Sequence, residues 1–222
     1  MEHNTAKRTL EKLLSVCICL CMLGAILPAQ VFAEEADTAQ TETVQDTAPK
    51  DTVYLSSADD LIQLAQNCRL DSWSQNRTVV LEANIDLSGV EFNGIPSFGG
   101  TWEGQNHAIT GLSLSQDGSV QGLFRYVQQG ALVRDMTVKG RIKPGGTRAS
   151  VGGIAGSNAG TIENCAFDGV VSGTSQIGGI AGVNTVKGSI NGCTVSGTVY
   201  GSHFVGGVVG QNNGVAANCT NA

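Results

Sequence analysis

Three histidines, seven cysteines and nineteen carboxylates are the residues of this 222-residue chain suited to acid–base, metal or nucleophilic chemistry. Glycoside hydrolysis needs two carboxylates about 5–10 Å apart, one of them held protonated. Asp135, Glu163 and Asp168 are the candidates, but they are scattered along the chain, and Glu163 is expected to point outward into water. A zinc site needs several histidine, cysteine or carboxylate ligands converging on one point. His107, in the string Glu-Gly-Gln-Asn-His, reads as a turn residue, and His203 stands beside Phe204 with no acid nearby in sequence. The expectation is therefore no catalytic residue, no metal and no cofactor. Two surfaces could still bind a ligand. Lys139, Arg141 and Lys143 alternate with Val138 and Ile142, an outward basic stripe near Arg134 and Arg148 that reads first as an ordinary solvated face and could also meet an anionic polymer. Tyr200, His203 and Phe204 form an aromatic corner that could stack on a sugar ring.

The elements that would position these residues begin after a targeting segment. Lys7, Arg8 and Lys12 precede an apolar run from Leu13 to Leu27, and Val31-Phe32-Ala33 puts small residues where a signal peptidase reads. Residues 1–33 therefore read as a secretory signal. It holds Cys17, Cys19 and Cys21, and it is the sole membrane contact expected. Residues 34–52 carry six acids against Lys50 with no apolar period, the pattern of a disordered linker. The whole chain carries −6, the linker −5 and the signal +1, which leaves −2 for residues 53–222. A basic footprint for nucleic acid is thus absent from the folded part.

The order lies in the glycines, of which 29 of 30 fall in residues 89–222. VGGIAGSN starts at Val151, IGGIAGVN at Ile177 and VGGVVGQN at Val205, with a degenerate copy, VQGLFRYV, at Val120. The steps are 31, 26 and 28 residues. Between them recur IENCAF, INGCTV and AANCTN, with earlier versions VRDMTV and ITGLSL. Aligned, the first column is Ile109, Val133, Ile162, Ile190 and Ala216, and the fourth is Leu112, Met136, Cys165, Cys193 and Cys219. The sixth is Leu114, Val138, Phe167 and Val195, broken by Asn221, and Ile142, Val171 and Val199 keep its inward parity four residues on. The third column, Gly111, Asp135, Asn164, Gly192 and Asn218, holds the residue types that best tolerate a left-handed backbone. A bend is therefore expected there in every repeat.

Short strands, recurring bends and an inward apolar stack at this period describe a parallel β-solenoid, whose coils bury their apolar faces only by stacking. Asn158, Asn184 and Asn212 are placed to form an amide ladder along the stack. Cys165 and Cys193 share a column within disulfide reach. Their match to Leu112 and Met136 favours buried thiols, giving four free thiols after signal removal. Upstream, Ser57 with Asp59 and Asp60 reads as a helix N-cap, and Leu61, Leu64, Ala65 and Cys68 lie on one helix face. That helix is expected to cover the open N-terminal edge. TVVLEANIDL reads as the first strands, with Phe92, Ile95, Phe98 and Trp102 filling the first coil.

The strings VGGIAGSNAGTIENC, IGGIAGVNTVKGSINGC and VGGVVGQNNGVAANC resemble the GLUG-motif repeat family of bacterial secreted and surface proteins. LEANIDLSG and FGGTWEGQNHAITGLSL are similar to the coils that precede such repeats, so the resemblance spans residues 54–222. It implies a secreted or wall-associated bacterial protein with a β-helical stalk, and by itself it implies no particular activity. Some family members join such repeats to a zinc metallopeptidase domain, whose HExxH string does not occur here.

The expected fold is all-β, a parallel β-solenoid of the right-handed β-helix kind with an N-terminal capping helix. Residues 53–119 would form the cap and opening coils, and residues 120–222 the glycine-rich coils, the last of them incomplete. The open C-terminal coil could pair end to end with another molecule. The expected function is a secreted or cell-surface, non-enzymatic stalk, adhesin or binding scaffold, with a cell-wall polymer or a host glycan or protein as partner. The alternative is a carbohydrate-active β-helix that cleaves or binds glycan.

Overall fold

The computed structural model describes residues 51–145 and 149–222, so the signal, the linker to residue 50 and Arg148 lie outside the described residues. The described chain opens with β1 (Thr52–Leu55) and α1 (Ala58–Asn67). β2 (Thr78–Leu81), β3 (Ile85–Asp86) and β4 (Ile95–Phe98) follow. A coil of four strands comes next: β5 (Thr101–Glu103), β6 (Ala108–Leu114), β7 (Val120–Gln121) and β8 (Phe124–Val127). The third coil is β9 (Leu132–Arg134), β10 (Thr137–Ile142), β11 (Ser150–Gly152) and β12 (Ala155–Asn158). The fourth is β13 (Thr161–Glu163), β14 (Ala166–Ser172), β15 (Ser175–Gly178) and β16 (Ala181–Asn184). The fifth is β17 (Ser189–Asn191), β18 (Thr194–Tyr200), β19 (His203–Gly206) and β20 (Val209–Asn212). β21 (Val215–Ala217) and β22 (Thr220–Asn221) complete the described chain.

Strands of successive coils stack into four sheets. The first face runs β1-β2-β5-β9-β13-β17-β21 and the second β3-β6-β10-β14-β18-β22. The third runs β7-β11-β15-β19 and the fourth β4-β8-β12-β16-β20. Every strand pairing among the described residues is parallel. Parallel neighbours need a long connection, and here one whole turn of the coil supplies it. The chain is a β-solenoid, as its period predicts.

Inward residues stack as columns because pairing in register puts like on like. Val133, Ile162 and Ile190 face one another across β9, β13 and β17, all fully buried. Val138, Phe167 and Val195 form the next column, then Ile142, Val171 and Val199. The bend residues behave as their types require: φ is +55° at Asp135, +50° at Asn164, +63° at Gly192 and +54° at Asn218. The paired glycines of the repeat answer to space. A Cβ on Gly153 would fall on the Gly179 carbonyl oxygen and the Phe167 ring.

One column needs correction. Ile109 does not stack on Val133; it pairs with Ile85 and Val138 on the second face, and Leu112 lies opposite Gly140 rather than Met136. Trp102 occupies the place opposite Val133. The bend of this coil falls instead at Gln105 (φ +50°) and Asn106 (φ +62°). Gly111, at φ +68°, marks a shift of register inside β6, where a left-handed glycine suits a bulge. ITGLSL carries the same pattern of apolar and bend residues as VRDMTV, so spacing alone could not tell one face from the next.

The N-terminal cap follows its local signals. The Ser57 hydroxyl accepts from the Asp60 backbone N–H, and the Asp60 carboxylate accepts from the Ser57 N–H, a complete capping box. The N–H and hydroxyl donors of Ser56 and Ser57, the Ser56 N–H foremost, hold the Asp60 carboxyl below its ordinary value. Leu61, Leu64 and Cys68 bury into the end of the core. Phe98, Trp102 and Phe124 pack there with ring centroids 5.2–5.9 Å apart, which fills the wide first coils. β1, ahead of the helix, extends the first face by one strand through Thr52↔Thr78 and was not among the strands expected.

Candidate functional site

The carboxylates considered for hydrolysis are tied to cations of neighbouring coils. Glu103, Arg134 and Glu163 stand in register on β5, β9 and β13. The Arg134 guanidinium donates to both Glu103 oxygens, at 2.6 and 2.8 Å, and lies 3.7 Å from Glu163 and from Asp135. This pairing holds the guanidinium further above its ordinary value, the Glu103 hydrogen bonds contributing most. Glu163 thus leans along the stack rather than into open water, with 30% of its side chain exposed. Asp135 takes its bend conformation and accepts from Asn164 Nδ2 at 3.2 Å. Asp168 pairs with Lys139 at 3.2 Å. The acids therefore act as rungs between coils.

The basic stripe is present on the outside of β10 and the residue after it, with Lys139, Arg141 and Lys143 all exposed. Its charge is reduced, because Asp168 on the next coil neutralises Lys139. His107 lies in the turn between β5 and β6, its N–H donating to the Gly104 carbonyl at 2.8 Å. Tyr200, His203 and Phe204 are exposed on the last complete coil. Phe204 takes φ +49°, the same left-handed conformation as Gln176 (φ +54°) below it, so its side chain turns outward at a corner.

Cys165, Cys193 and Cys219 stack as thiols, with Cys68 at the capped end, and all four are free. Burial pushes the Cys68 thiol up to about 11 and the Cys193 thiol up to about 12, and raises Cys165 further still. Sγ of Cys165 donates to the Glu163 carbonyl at 3.2 Å. Cys68, Cys165 and Cys193 are therefore buried, space-filling thiols rather than nucleophiles.

A concavity of about 480 Å³ lies where α1 passes the fourth face. Among the described residues the third face has no strand before β7, and residues 87–94 cross that region without regular structure. Ile62, Phe92 and Pro96 supply apolar surface, and Arg69 and Arg125 line the same space. Arg125 Nη2 donates to the Asn93 carbonyl at 3.1 Å, while its Nε is buried without a partner. Among the described residues, neither arginine forms an ion pair within 4.0 Å. Sequence reasoning missed this place, though one signal was present. Arg125 stands where Gly156, Gly182 and Gly210 stand in the later copies, and a Cβ on Gly156 would come within 2.8 Å of the Gln121 backbone nitrogen on β7.

Comparison with known proteins agrees with the repeat reading. A family described as the GLUG motif matches residues 147–172. Halomucin from Haloquadratum walsbyi is 31% identical over 123 residues, 49% of this chain and 1% of halomucin. The chain thus spans a very small part of that relative. A crystal structure of a candidate immunoglobulin A1 protease from Bacteroides ovatus superposes with a TM-score of 0.59 at 23% identity. The match covers 76% of this chain and 56% of that one, a likeness of fold. The sequence thus carries the GLUG motif on a parallel β-solenoid.

Proposed function

We propose that this chain is a secreted or cell-surface, non-enzymatic β-solenoid that serves as a stalk, adhesin or binding scaffold. One observation carries the reading: the acids weighed for hydrolysis are spent on lateral contacts, Glu163 with Arg134, Asp168 with Lys139 and Asp135 with Asn164. A hydrolase needs one carboxylate kept protonated beside another that is ionised. Carboxylates each held against a cation of a neighbouring coil give cohesion along the stack. The GLUG motif and the likeness to halomucin support a place outside the cell. The name of the Bacteroides ovatus protein raises proteolysis, but the shared part is the coil architecture, and architecture by itself carries no activity. The partner expected for such a scaffold is a cell-wall polymer or a host glycan or protein.

The test combines location with activity. Cell fractionation with an antibody to the solenoid should find the protein in the medium or wall fraction. Incubation with wall and host polysaccharides, and with immunoglobulin A1, should release neither reducing ends nor fragments. Product formed in proportion to added protein would overturn the non-enzymatic reading, and retention in the cytosol would overturn the location.

A further inference from the structure

We propose that the cleft between α1 and the fourth face binds a carboxylated sugar, the uronic acid unit of an anionic polysaccharide. This goes beyond the scaffold reading, which stands whether or not the cleft is occupied.

The argument begins with Arg125. The later coils keep glycine at its position, and there the backbone of the third face crowds the site: a Cβ on Gly156 would meet Val120 and Gln121. One coil earlier the third face has no strand among the described residues, and a long cationic side chain fits into the space left. The space that glycine must leave open on the later coils is here filled by a guanidinium beside the cleft. Arg125 has five N–H donors, and one hydrogen bond, to the Asn93 carbonyl, uses them. Its buried Nε lacks an acceptor. A carboxylate supplies two acceptor oxygens in the geometry a guanidinium fork favours.

Charge agrees with an anion. Arg69 and Arg125 bring two guanidinium charges to the cleft, opposed by the Glu91 carboxylate and by the α1 C-terminal end. A helix C-terminus amounts to roughly half a negative charge, so the cations prevail by a small margin. That margin suits a ligand with one carboxylate better than a strongly acidic peptide, whose second carboxylate Glu91 would repel.

The remaining lining selects a sugar. Gln66 and Gln116 present primary amides, which both donate and accept as hydroxyl groups do. Ile62 and Pro96 offer apolar surface for the C–H face of a pyranose ring. The volume falls within the range of pockets that hold small organic ligands.

Titration calorimetry on the chain after signal removal tests this with digalacturonate, neutral galactobiose and the dipeptide Asp-Asp. The expected result is saturable binding of digalacturonate, with galactobiose and Asp-Asp each weaker by about ten-fold or more. Arg125→Gln should weaken digalacturonate by about ten-fold, and Arg69→Gln by about three-fold. Arg69 is exposed, so R69Q should melt as the parent does and keeps the test valid if R125Q folds poorly. Absence of saturable binding, equal binding of galactobiose, or preference for Asp-Asp would overturn the proposal. So would an unchanged affinity in a folded R69Q.

Discussion

Asn158 donates from Nδ2 to Oδ1 of Asn184 at 2.9 Å, joining two coils through amides that are both fully buried. Asn184 passes the bond on to Asn212 at 2.8 Å. Each amide also holds its own corner: Asn158 Oδ1 accepts from Gly160 N–H, and Asn158 Nδ2 donates to the Gly160 carbonyl. The ladder therefore fixes corner shape and coil register together.

Replacing Asn184 by alanine should cost about 1–3 kcal/mol, the penalty of leaving buried polar partners unmet. Asn212 is exposed at the far end of the ladder, and Asn212→Ala should stay within about 0.5 kcal/mol. Urea unfolding of both variants measures the contrast, and equal costs would mean that the ladder adds no cohesion.

Glycine at position 169 answers to a close approach between coils. Its φ is +151°, and a Cβ would fall on the Gly140 carbonyl oxygen. Gly130, at φ +83°, has nothing within 4 Å of a Cβ. Gly130→Ala should cost about 1–2 kcal/mol, the ordinary penalty for a left-handed residue. Gly169→Ala should exceed it by about 1–3 kcal/mol through overpacking, or yield no soluble protein. Thermal melts of the pair decide.

Arg134 bridges two coils while Lys139 makes a single exposed pair. Arg134→Met should lower the melting temperature more than Lys139→Met, because it leaves Glu103 and Glu163 without their shared cation. Raising salt to about 0.5 M screens exposed charges and should narrow the gap. A gap that widens with salt would assign the effect to lost packing of the arginine stem.

The buried thiols predict both labelling and pH dependence. Cys219 is the least buried of the stacked three and should react first with a thiol reagent in the folded protein. Unfolding without reductant should expose four thiols, at Cys68, Cys165, Cys193 and Cys219. Burial raises Cys68 from 9.0 to about 11, so the folded state keeps its proton where the unfolded state loses it. That contribution is complete below pH 9 and falls away as pH rises toward 11. The slope should approach 1.4 kcal/mol per pH unit for each such thiol, by about that amount less in Cys68→Ala. Chemical denaturation between pH 8 and about 11 measures it.

Much of the coil was legible because its causes are local. Asp135, Asn164 and Asn218 announce a left-handed bend by residue type, and each adopts it. Ser57 and Asp60 announce a cap at their spacing, and the box forms. Val133, Ile162 and Ile190 announce an inward column by their period, and they stack. Ile109 and Leu112 carried the same marks and misled. Their coil begins with Trp102 and takes an extra turn at Gln105 and Asn106, which moves ITGLSL to the next face.

The sequence by itself determined the repeat, the bends, the amide column and the absence of an HExxH string, because these depend on neighbouring residues and on period. Only the tertiary structure decided which strand meets which, that Arg134 serves Glu103 and Glu163, and that Arg125 faces a cleft. Those relations join residues about a coil apart in sequence, and they are set by what the stack places there: a strand on the later coils, and, among the described residues, none on the third face before β7.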